Sequence, residues 1–345
     1  MRIMIGMGHP KDVHFWKNII NNFVKGGHEI KILAWDKDVT LYLLNIYGYS
    51  YEILGRSCKY WVRKLYELLK SEHIAFKIAN EFKPDILVGR EPCFAHVSKL
   101  IGKPFIAFSD TEHSTLSHWL TYPFSDVICT PSCFKKRVDP RRHITFNGYQ
   151  ELSYLHPKYF KPDQSVLDAL GLSKEDRFFI IRFVSWEATH DIGKCGFADK
   201  EKFIRELEDH GRVYITSEGR TSKFLEKYRI TIPPEKMHDI LYYATLYIGE
   251  GATMASEAAV LGTPAIYVNT LKVGYLDELE KRYGLVFNFP GGKTAQERAF
   301  SKAIELLEEK HLKSVWRKKK EKLLSEKVDV TKFVTELIEK FATTA

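Results

Sequence analysis

The strongest constraint on this chain is a rhythm that runs twice. Near the start, "RIMIGMG" is an apolar run ending in glycine, and Val13, Trp16, Ile19, Ile20, Phe23 and Val24 recur behind it at helical spacing. Gly26 and Gly27 stop that helix, and "HEIKILAW" returns as a strand, giving one βαβ unit. Further strands read at "YEIL", "DILVG", "PFIAFS", "DVICTP" and "HITFNG", with helical stretches such as "WVRKLYELLKSEHIAFKIANEF" between some of them. A strand-free segment rich in Tyr, Pro and Lys follows, "GYQELSYLHPKYFKPDQSVLDALGL". Then the rhythm restarts at "FFIIRFV", "RVYITSE", "ATLYIG" and "PAIYV". Such alternation predicts parallel, doubly wound sheets with both faces covered. The expected division is one α/β domain over 1–155, a second over 156–320, and a C-terminal helix over 321–345 packing back on the first. From Thr294 onward two charged amphipathic helices are expected. Ligands of open α/β sheets bind beyond the carboxyl ends of the strands. With two such domains, the expected site is a cleft between them.

Composition narrows the function classes. A length of 345 residues suits two domains, and 44% hydrophobic with 28% charged residues is the balance of a soluble globular protein. Met1-Arg2 leads directly into "IMIGM", so no signal peptide is expected. No uncharged apolar run approaches the roughly 20 residues of a membrane span, so a cytoplasmic protein is expected. The five cysteines, Cys58, Cys93, Cys129, Cys133 and Cys195, are odd in number and scattered, which argues against a disulfide framework. Cys129 and Cys133 have no second Cys/His pair spaced to complete a zinc site, and no metal is expected. The net charge of +8 gathers partly in "WRKKKEKLL" and "KKRVDPRRH". These read either as solvated surface or as attraction to a nucleotide or an anionic phospholipid surface at the inner face of a membrane. No RNA-recognition, helix-turn-helix or zinc-finger signature is present, so a nucleic-acid partner is not expected.

The stretch "YIGEGATMASEAAVLGTPAIYV", Tyr247 to Val268, reads as strand, short loop, small-residue helix and strand. Gly251, Ala252, Thr253 and Met254 form the loop. The helix that follows offers N–H groups without internal partners and a dipole that favours anions. A diphosphate fits there without any lysine. Thr253 adds a hydroxyl, and Glu257, one turn further, is suited to accept hydrogen bonds from two ribose hydroxyls. The alternative is a tight junction with Thr253 or Ser256 capping the helix and Glu257 in water. Spacing alone leaves both readings open.

The run "HDILYYATLYIGEGATMASEAAVLGTPAIYV" resembles the C-terminal domain of GT-B glycosyltransferases. It is similar both to the peptidoglycan N-acetylglucosaminyltransferase and to the non-hydrolysing UDP-N-acetylglucosamine 2-epimerase. Over nearly the whole chain, including "MGHPKDVHFWKNII", "SDTEH" and "WEATHD", it resembles a prokaryotic family of unknown function usually placed beside these enzymes. The resemblance implies a GT-B-like fold of two Rossmann-like, doubly wound domains facing across a cleft, with an acceptor domain first and a nucleotide-sugar domain second. It implies that Gly251, Ala252, Thr253 and Met254 take the diphosphate and that Glu257 takes the ribose.

Three other loops carry polar constellations. In "GMGHPKDVHFWKN", Gly6 and Gly8 permit a close backbone approach, and His9, Lys11, Asp12 and His14 crowd one strand end. The resemblance points this loop at acceptor and sugar, with a His such as His14 as base; the alternative has Asp12 capping the helix and His14 packing against it. In "FSDTEHSTLSHW", Asp110, Glu112 and His113 lie within four residues at a strand end. Asp110 orienting His113 would make a catalytic dyad; the alternative is a capped helix start. In "RFVSWEATHDIGKCGF", Arg182 is suited to neutralise the leaving diphosphate or to form a structural ion pair, and Glu187, His190 and Asp191 follow. Ser217 and Glu218, with Gly219, end the next strand, a region that approaches the nucleotide base in GT-B enzymes.

The expected activity is transfer of a sugar from a nucleotide diphosphate-sugar, UDP-linked, to an acceptor hydroxyl, with the sugar nucleotide as substrate and no separate cofactor. A lipid-linked or glycan acceptor and a peripheral contact with anionic membrane fit the charge. A 2-epimerase on the same donor is the second reading, although the first loop lacks the epimerases' "GTRPE"-like motif. A silent nucleotide-sugar binding protein is the third.

Overall fold

The computed structural model describes residues 1–56, 61–184, 196–217 and 222–344. The chain divides into two units: Met1–Tyr154 together with the chain from Val328 on, and Leu155–Lys327.

In the first unit, seven parallel strands form one sheet: β1 (Arg2–Met7), β2 (Glu29–Asp36), β3 (Tyr51–Arg56), β4 (Ile86–Gly89), β5 (Phe105–Phe108), β6 (Val127–Pro131) and β7 (His143–Phe146). Their spatial order is β3-β2-β1-β4-β5-β6-β7. The sequence direction reverses between β1 and β4, where Ile3 pairs with Ile86 and Ile5 with Val88. That reversal opens a crevice at the carboxyl ends of the two strands. β1, β4, β5 and β6 are buried almost throughout because helices cover both faces of a parallel sheet. On one face Met4, Leu33, Leu87, Phe94, Phe105 and Ile128 form a common core.

The second unit holds five parallel strands: β8 (Phe178–Phe183), β9 (Arg212–Ser217), β10 (Leu246–Gly249), β11 (Ala265–Val268) and β12 (Val286–Phe289). Their order is β12-β11-β10-β8-β9, so the reversal here lies between β8 and β10. Every strand expected from the sequence is present, and β12 is one that the sequence reading omits. It is four residues long, with only Val286 and Phe289 buried, too short to carry a periodic signal.

The C-terminal region differs from expectation. Three helices, Lys293–Glu308, Leu312–Glu326 and Val330–Thr344, replace the expected two. No Gly or Pro marks the breaks. The last helix instead begins at Asp329, whose carboxylate accepts a hydrogen bond from the Lys332 amide at 3.0 Å. This helix packs in the first unit: Thr331 Oγ1 donates to the Ser153 carbonyl at 2.8 Å, and Asn22 Nδ2 donates to Thr335 Oγ1. Two lysines of the basic helix before it, and Lys327 at its end, bond within the second unit, while Arg317, Lys318 and Lys322 are exposed. Lys320 Nζ donates to the Leu261 carbonyl, Lys319 Nζ to the Gly284 carbonyl, and Lys327 pairs with Glu278. Two of these satisfy carbonyls at or just beyond helix ends, groups that otherwise need water.

Gly262 ends the helix Ala252–Leu261 with φ of 86°, and a β-carbon there would stand 3.1 Å from Lys320 Cδ. Gly262→Ala is expected to cost about 1–2 kcal/mol, from the left-handed backbone and the crowded lysine stem. A thermal melt of the variant beside the parent measures it.

Candidate functional sites at the two sheet reversals

At the first reversal, the loop after β1 turns into the helix Pro10–Lys25. His9 caps that helix, its Nδ1 accepting from the Lys11 amide at 3.2 Å, while Asp12 Oδ2 accepts from the Gly8 amide at 3.0 Å. The expected capping role of Asp12 thus falls to His9, and the Asp12 carboxylate reaches back past it. His14 lies buried in the next turn, its ring stacked on Tyr154 and its Nδ1 3.3 Å from the Tyr47 hydroxyl.

Around this turn the fold gathers four carboxylates and two cations. The Lys11 ammonium, buried, binds Asp110 and, at 2.8 Å, Glu151. The Arg90 guanidinium lies 2.8 Å from Asp12 and donates to Gln150 Oε1. Glu91 is buried beside them, and its carboxylate accepts from the Arg90 amide at 3.0 Å. With all six groups ionised, the cluster would hold two excess negative charges away from water, a costly state. The consequence falls on Glu91. Burial pushes its pKa up, the Asp12 carboxylate adds to the rise, and the group titrates at about 7. Burial likewise raises Asp12, against the pull of Arg90. For Asp110 the burial penalty is outweighed by Lys11 and Arg90, which hold it below the usual carboxylate range. Burial would lower Lys11, but Asp110 and Glu151 outweigh it and raise its pKa.

The glycines expected to admit a ligand to the backbone here admit Glu91. A β-carbon on Gly8 would collide with Glu91 Oε1, and one on Gly6 would stand 2.8 Å from Oε2. Glu91 lines a cavity of about 330 Å³ together with Gly8, Trp35, Arg56, Arg90 and Ser117.

Asp110 directs one oxygen at Lys11 and the other at the Thr111 hydroxyl, rather than forming the expected dyad with His113 as its principal contact. Glu112 accepts from the Lys135 amide. A histidine outside the expected set, His118, lies behind this loop. Its Nδ1 is 2.9 Å from Lys136 Nζ, its Nε2 is 3.3 Å from Ser109 Oγ, and its ring stacks on Tyr122. A lysine donor at Nδ1 requires a lone pair there, so the proton sits on Nε2.

At the second reversal, β10 ends in Gly249 and runs on into Glu250 and Gly251. A β-carbon on Gly249 would meet the Tyr247 hydroxyl and Arg182 Cβ, so only glycine fits. Tyr247 is fully buried, and its hydroxyl donates to the Gly251 carbonyl at 3.1 Å. Gly251 itself has φ of −91°, open to any residue. Glu250 is buried, and its two oxygens accept from the amides of Val184 and Phe197, both at 2.9 Å. Lys200 Nζ lies 3.7 Å away, and Asn269 Nδ2 donates to the Glu250 carbonyl. Gly196 has no room for a β-carbon because Glu250 occupies it.

The helix Ala252–Leu261 starts at Gly251 with no side-chain cap, so neither Thr253 nor Ser256 closes its first turn. Ala252, Thr253 and Met254 are half-buried there, and Arg182 is half-buried at the end of β8. Thr216 Oγ1 reaches Met254 Sδ, and Ser217 ends β9. Glu257 is buried, its Oε1 3.0 Å from His238 Nε2, and Phe160 meets the His238 ring edge-on. Glu187, His190, Asp191, Glu218 and Gly219 lie outside the described residues, as do Cys58 and Cys195. Cys93, Cys129 and Cys133 are not joined in disulfides. Among the described residues, no group of three or more His, Cys, Asp or Glu is placed to hold a metal ion, and no helix is long and apolar enough to cross a membrane.

Sequence reasoning missed Glu91, Arg90, Glu151, Glu250 and His238. Only two carried a signal: Glu91 and Glu250 each lie two or fewer residues past a glycine that ends a buried strand, β4 and β10 respectively.

Two parallel α/β units, each with polar residues gathered at its sheet reversal, define a two-domain Rossmann-like protein of the GT-B type. Comparison with known proteins agrees. Over residues 1–287 the chain matches the family described as "Protein of unknown function (DUF354)", and it belongs to that family. An uncharacterized protein of Methanocaldococcus jannaschii is 23% identical over 276 residues, which cover 76% of this chain and 80% of that one. Among solved structures, the UDP-GlcNAc 2-epimerase of Neisseria meningitidis, bound to UDP-GlcNAc, superposes with a TM-score of 0.68 at 11% identity, covering 99% of this chain and 100% of that one. A glycosyltransferase of a Streptomyces species, complexed with thymidine diphosphate, gives a TM-score of 0.63 at 12% identity, with 99% of each chain covered. At such identities the likeness is one of fold.

Two outcomes are expected from these sites. Glu250→Ala removes the acceptor of two buried amides and should cost about 3 kcal/mol in urea denaturation, with Glu250→Gln recovering part of it. Burial first, then Lys136 and His113, lower the His118 pKa from 6.5 to about 4. The unfolded chain therefore binds that proton first, and stability should fall as pH drops from about 6.5 towards 4. His118→Gln should flatten this part of the stability profile in denaturant melts across pH.

Proposed function

We propose that this protein is a glycosyltransferase that moves a sugar from a nucleotide diphosphate-sugar, UDP-linked, to an acceptor hydroxyl. What carries the reading is the placement of Glu91: a buried carboxyl beside Asp12 on the wall of a cavity of about 330 Å³, its pKa pushed up to about 7 by that burial and charge. A group tuned to the working pH is what a general base requires.

In this reading the second unit binds the nucleotide. The uncapped first turn at Ala252, Thr253 and Met254 offers amides to the diphosphate, and Arg182 adds positive charge. Glu257, steadied by His238, takes the ribose hydroxyls. The first unit binds the acceptor. The acceptor oxygen forms the new bond to the anomeric carbon as its proton passes to Glu91. The bond from the anomeric carbon to the diphosphate oxygen breaks, and the electron pair leaves with the diphosphate. Amides and Arg182 aimed at that developing charge supply the electrostatic stabilisation. Glu91 takes here the role expected of His14 or His113, because His14 is buried against Tyr47 and Tyr154 while Glu91 lines the cavity.

One observation favours a second reading, epimerisation at C2 of the same donor. Glu91 and Asp110 are two carboxylates beyond adjacent strands, β4 and β5, which is the equipment for removing and returning a proton at carbon.

Incubation with UDP-N-acetylglucosamine alone separates the readings: a second UDP-sugar marks epimerisation, whereas a transferase releases UDP slowly or only with acceptor. Glu91→Gln should lower kcat by roughly 10²–10⁴ and remove an ascending limb near pH 7 from kcat/KM. Retention of both would refute the assignment. Glu257→Ala should weaken UDP binding by about tenfold, measured calorimetrically; unchanged affinity would remove the ribose role.

A further inference from the structure

The basic helix Leu312–Glu326, expected from sequence to meet an anionic surface, has Lys319 and Lys320, with Lys327 just after it, bonded to its own unit, and its exposed cations Arg317, Lys318 and Lys322 have no exposed apolar group beside them on that helix. The surface with the matching chemistry lies in the first unit. On the helix Thr115–Thr121, Leu116 is 71% exposed and Trp119 is 77% exposed, three residues apart on one side. On the helix Trp61–Phe82, Leu65, Tyr66 and Leu69 are each more than half exposed. The two helices border the same cavity, to which one contributes Ser117 and the other Leu68. Both helices thus carry exposed apolar side chains close in sequence to a residue that lines that cavity. Five large apolar groups held in water this way mark an interaction surface.

The charges beside them say what kind. The segment 132–142 carries Lys135, Lys136, Arg137, Arg141 and Arg142; Arg141 and Arg142 pair with Asp139, and Glu112 accepts from the Lys135 amide. It is tied to the Trp119 helix, because Lys136 Nζ donates to Thr115 Oγ1 at 3.3 Å and lies 2.9 Å from His118 Nδ1. Lys135 and Arg137, on either side of that tie, are exposed. Thr115–Thr121 contains no Asp or Glu. A tryptophan and leucines flanked by cations match the interface of an anionic bilayer: the rings and aliphatic chains enter the headgroup–acyl boundary while the cations meet phosphate.

We propose that this face of the first unit docks on anionic phospholipid, so that the Glu91 cavity opens at the membrane surface. The proposal does not depend on the chemistry proposed above. It suits an acceptor whose hydroxyl is presented on a lipid.

The test uses the full chain with vesicles of phosphatidylcholine alone or mixed with phosphatidylglycerol. Expected is salt-sensitive co-sedimentation with the mixed vesicles only. Tryptophan emission should be quenched by brominated lipid in the parent and not in Trp119→Phe. Leu116→Ser with Trp119→Ser, and separately Lys135→Glu with Arg137→Glu, should each lower partitioning at least tenfold. Their melting profiles should match the parent, since the replaced side chains are exposed. Four results would overturn the proposal: no co-sedimentation, equal binding to neutral vesicles, unaltered binding by the serine variant, or a dimer in sedimentation velocity that the serine variant dissolves. The last would assign the face to a second copy of this chain.

Discussion

A carboxylate taken out of water must find hydrogen-bond donors, and this fold meets that demand at the same place in both units. Glu91 follows β4, the strand across the reversal from β1, and lies on the glycines of the loop after β1. Glu250 follows β10, the strand across the reversal from β8, and takes the amides of Val184 and Phe197, two described residues that follow β8. In each case a glutamate at the end of one strand bonds or packs against residues that follow the neighbouring strand. Pro92 and Gly251, the residues that follow, each start or cap a helix. The resulting chemistry differs. Glu250 has two amides and a nearby lysine and serves the scaffold. Glu91 shares its surroundings with Asp12, Asp110 and Glu151 and is left with a proton to exchange.

Burial of several charges together also makes them interdependent. Lys11 holds Asp110 ionised, Arg90 pairs with Asp12 without offsetting the rise that burial imposes on it, and the remaining unbalanced charge falls on Glu91. Replacing any one of them redistributes the proton among the rest. Single substitutions here are therefore not independent reports on single residues.

Much of the architecture was legible in the sequence because it is written locally. Apolar runs ending in glycine marked the strands, and helical spacing marked what lay between. β12 escaped because four residues, buried only at the two ends, carry no period. The final helix break escaped because its signal is one aspartate cap rather than a glycine or proline. The sites were less legible for a physical reason. Lys11 meets Asp110 and Glu151 only after the chain has travelled 99 and 140 residues, and no spacing rule spans such distances. The first loop showed the opposite error. Gly6 and Gly8 signalled a close approach, and the approaching group is a side chain from β4's end rather than a ligand.

One feature of the connectivity bears on how the molecule forms. The first unit is assembled from two separated stretches, with the helix Val330–Thr344 seated beside Pro10–Lys25, whereas the second unit is one continuous segment. During synthesis the later-encoded unit has all its strands in hand before the earlier one can be completed. The amino-terminal sheet must wait, its groove for that helix uncovered, until the polypeptide comes back to close it.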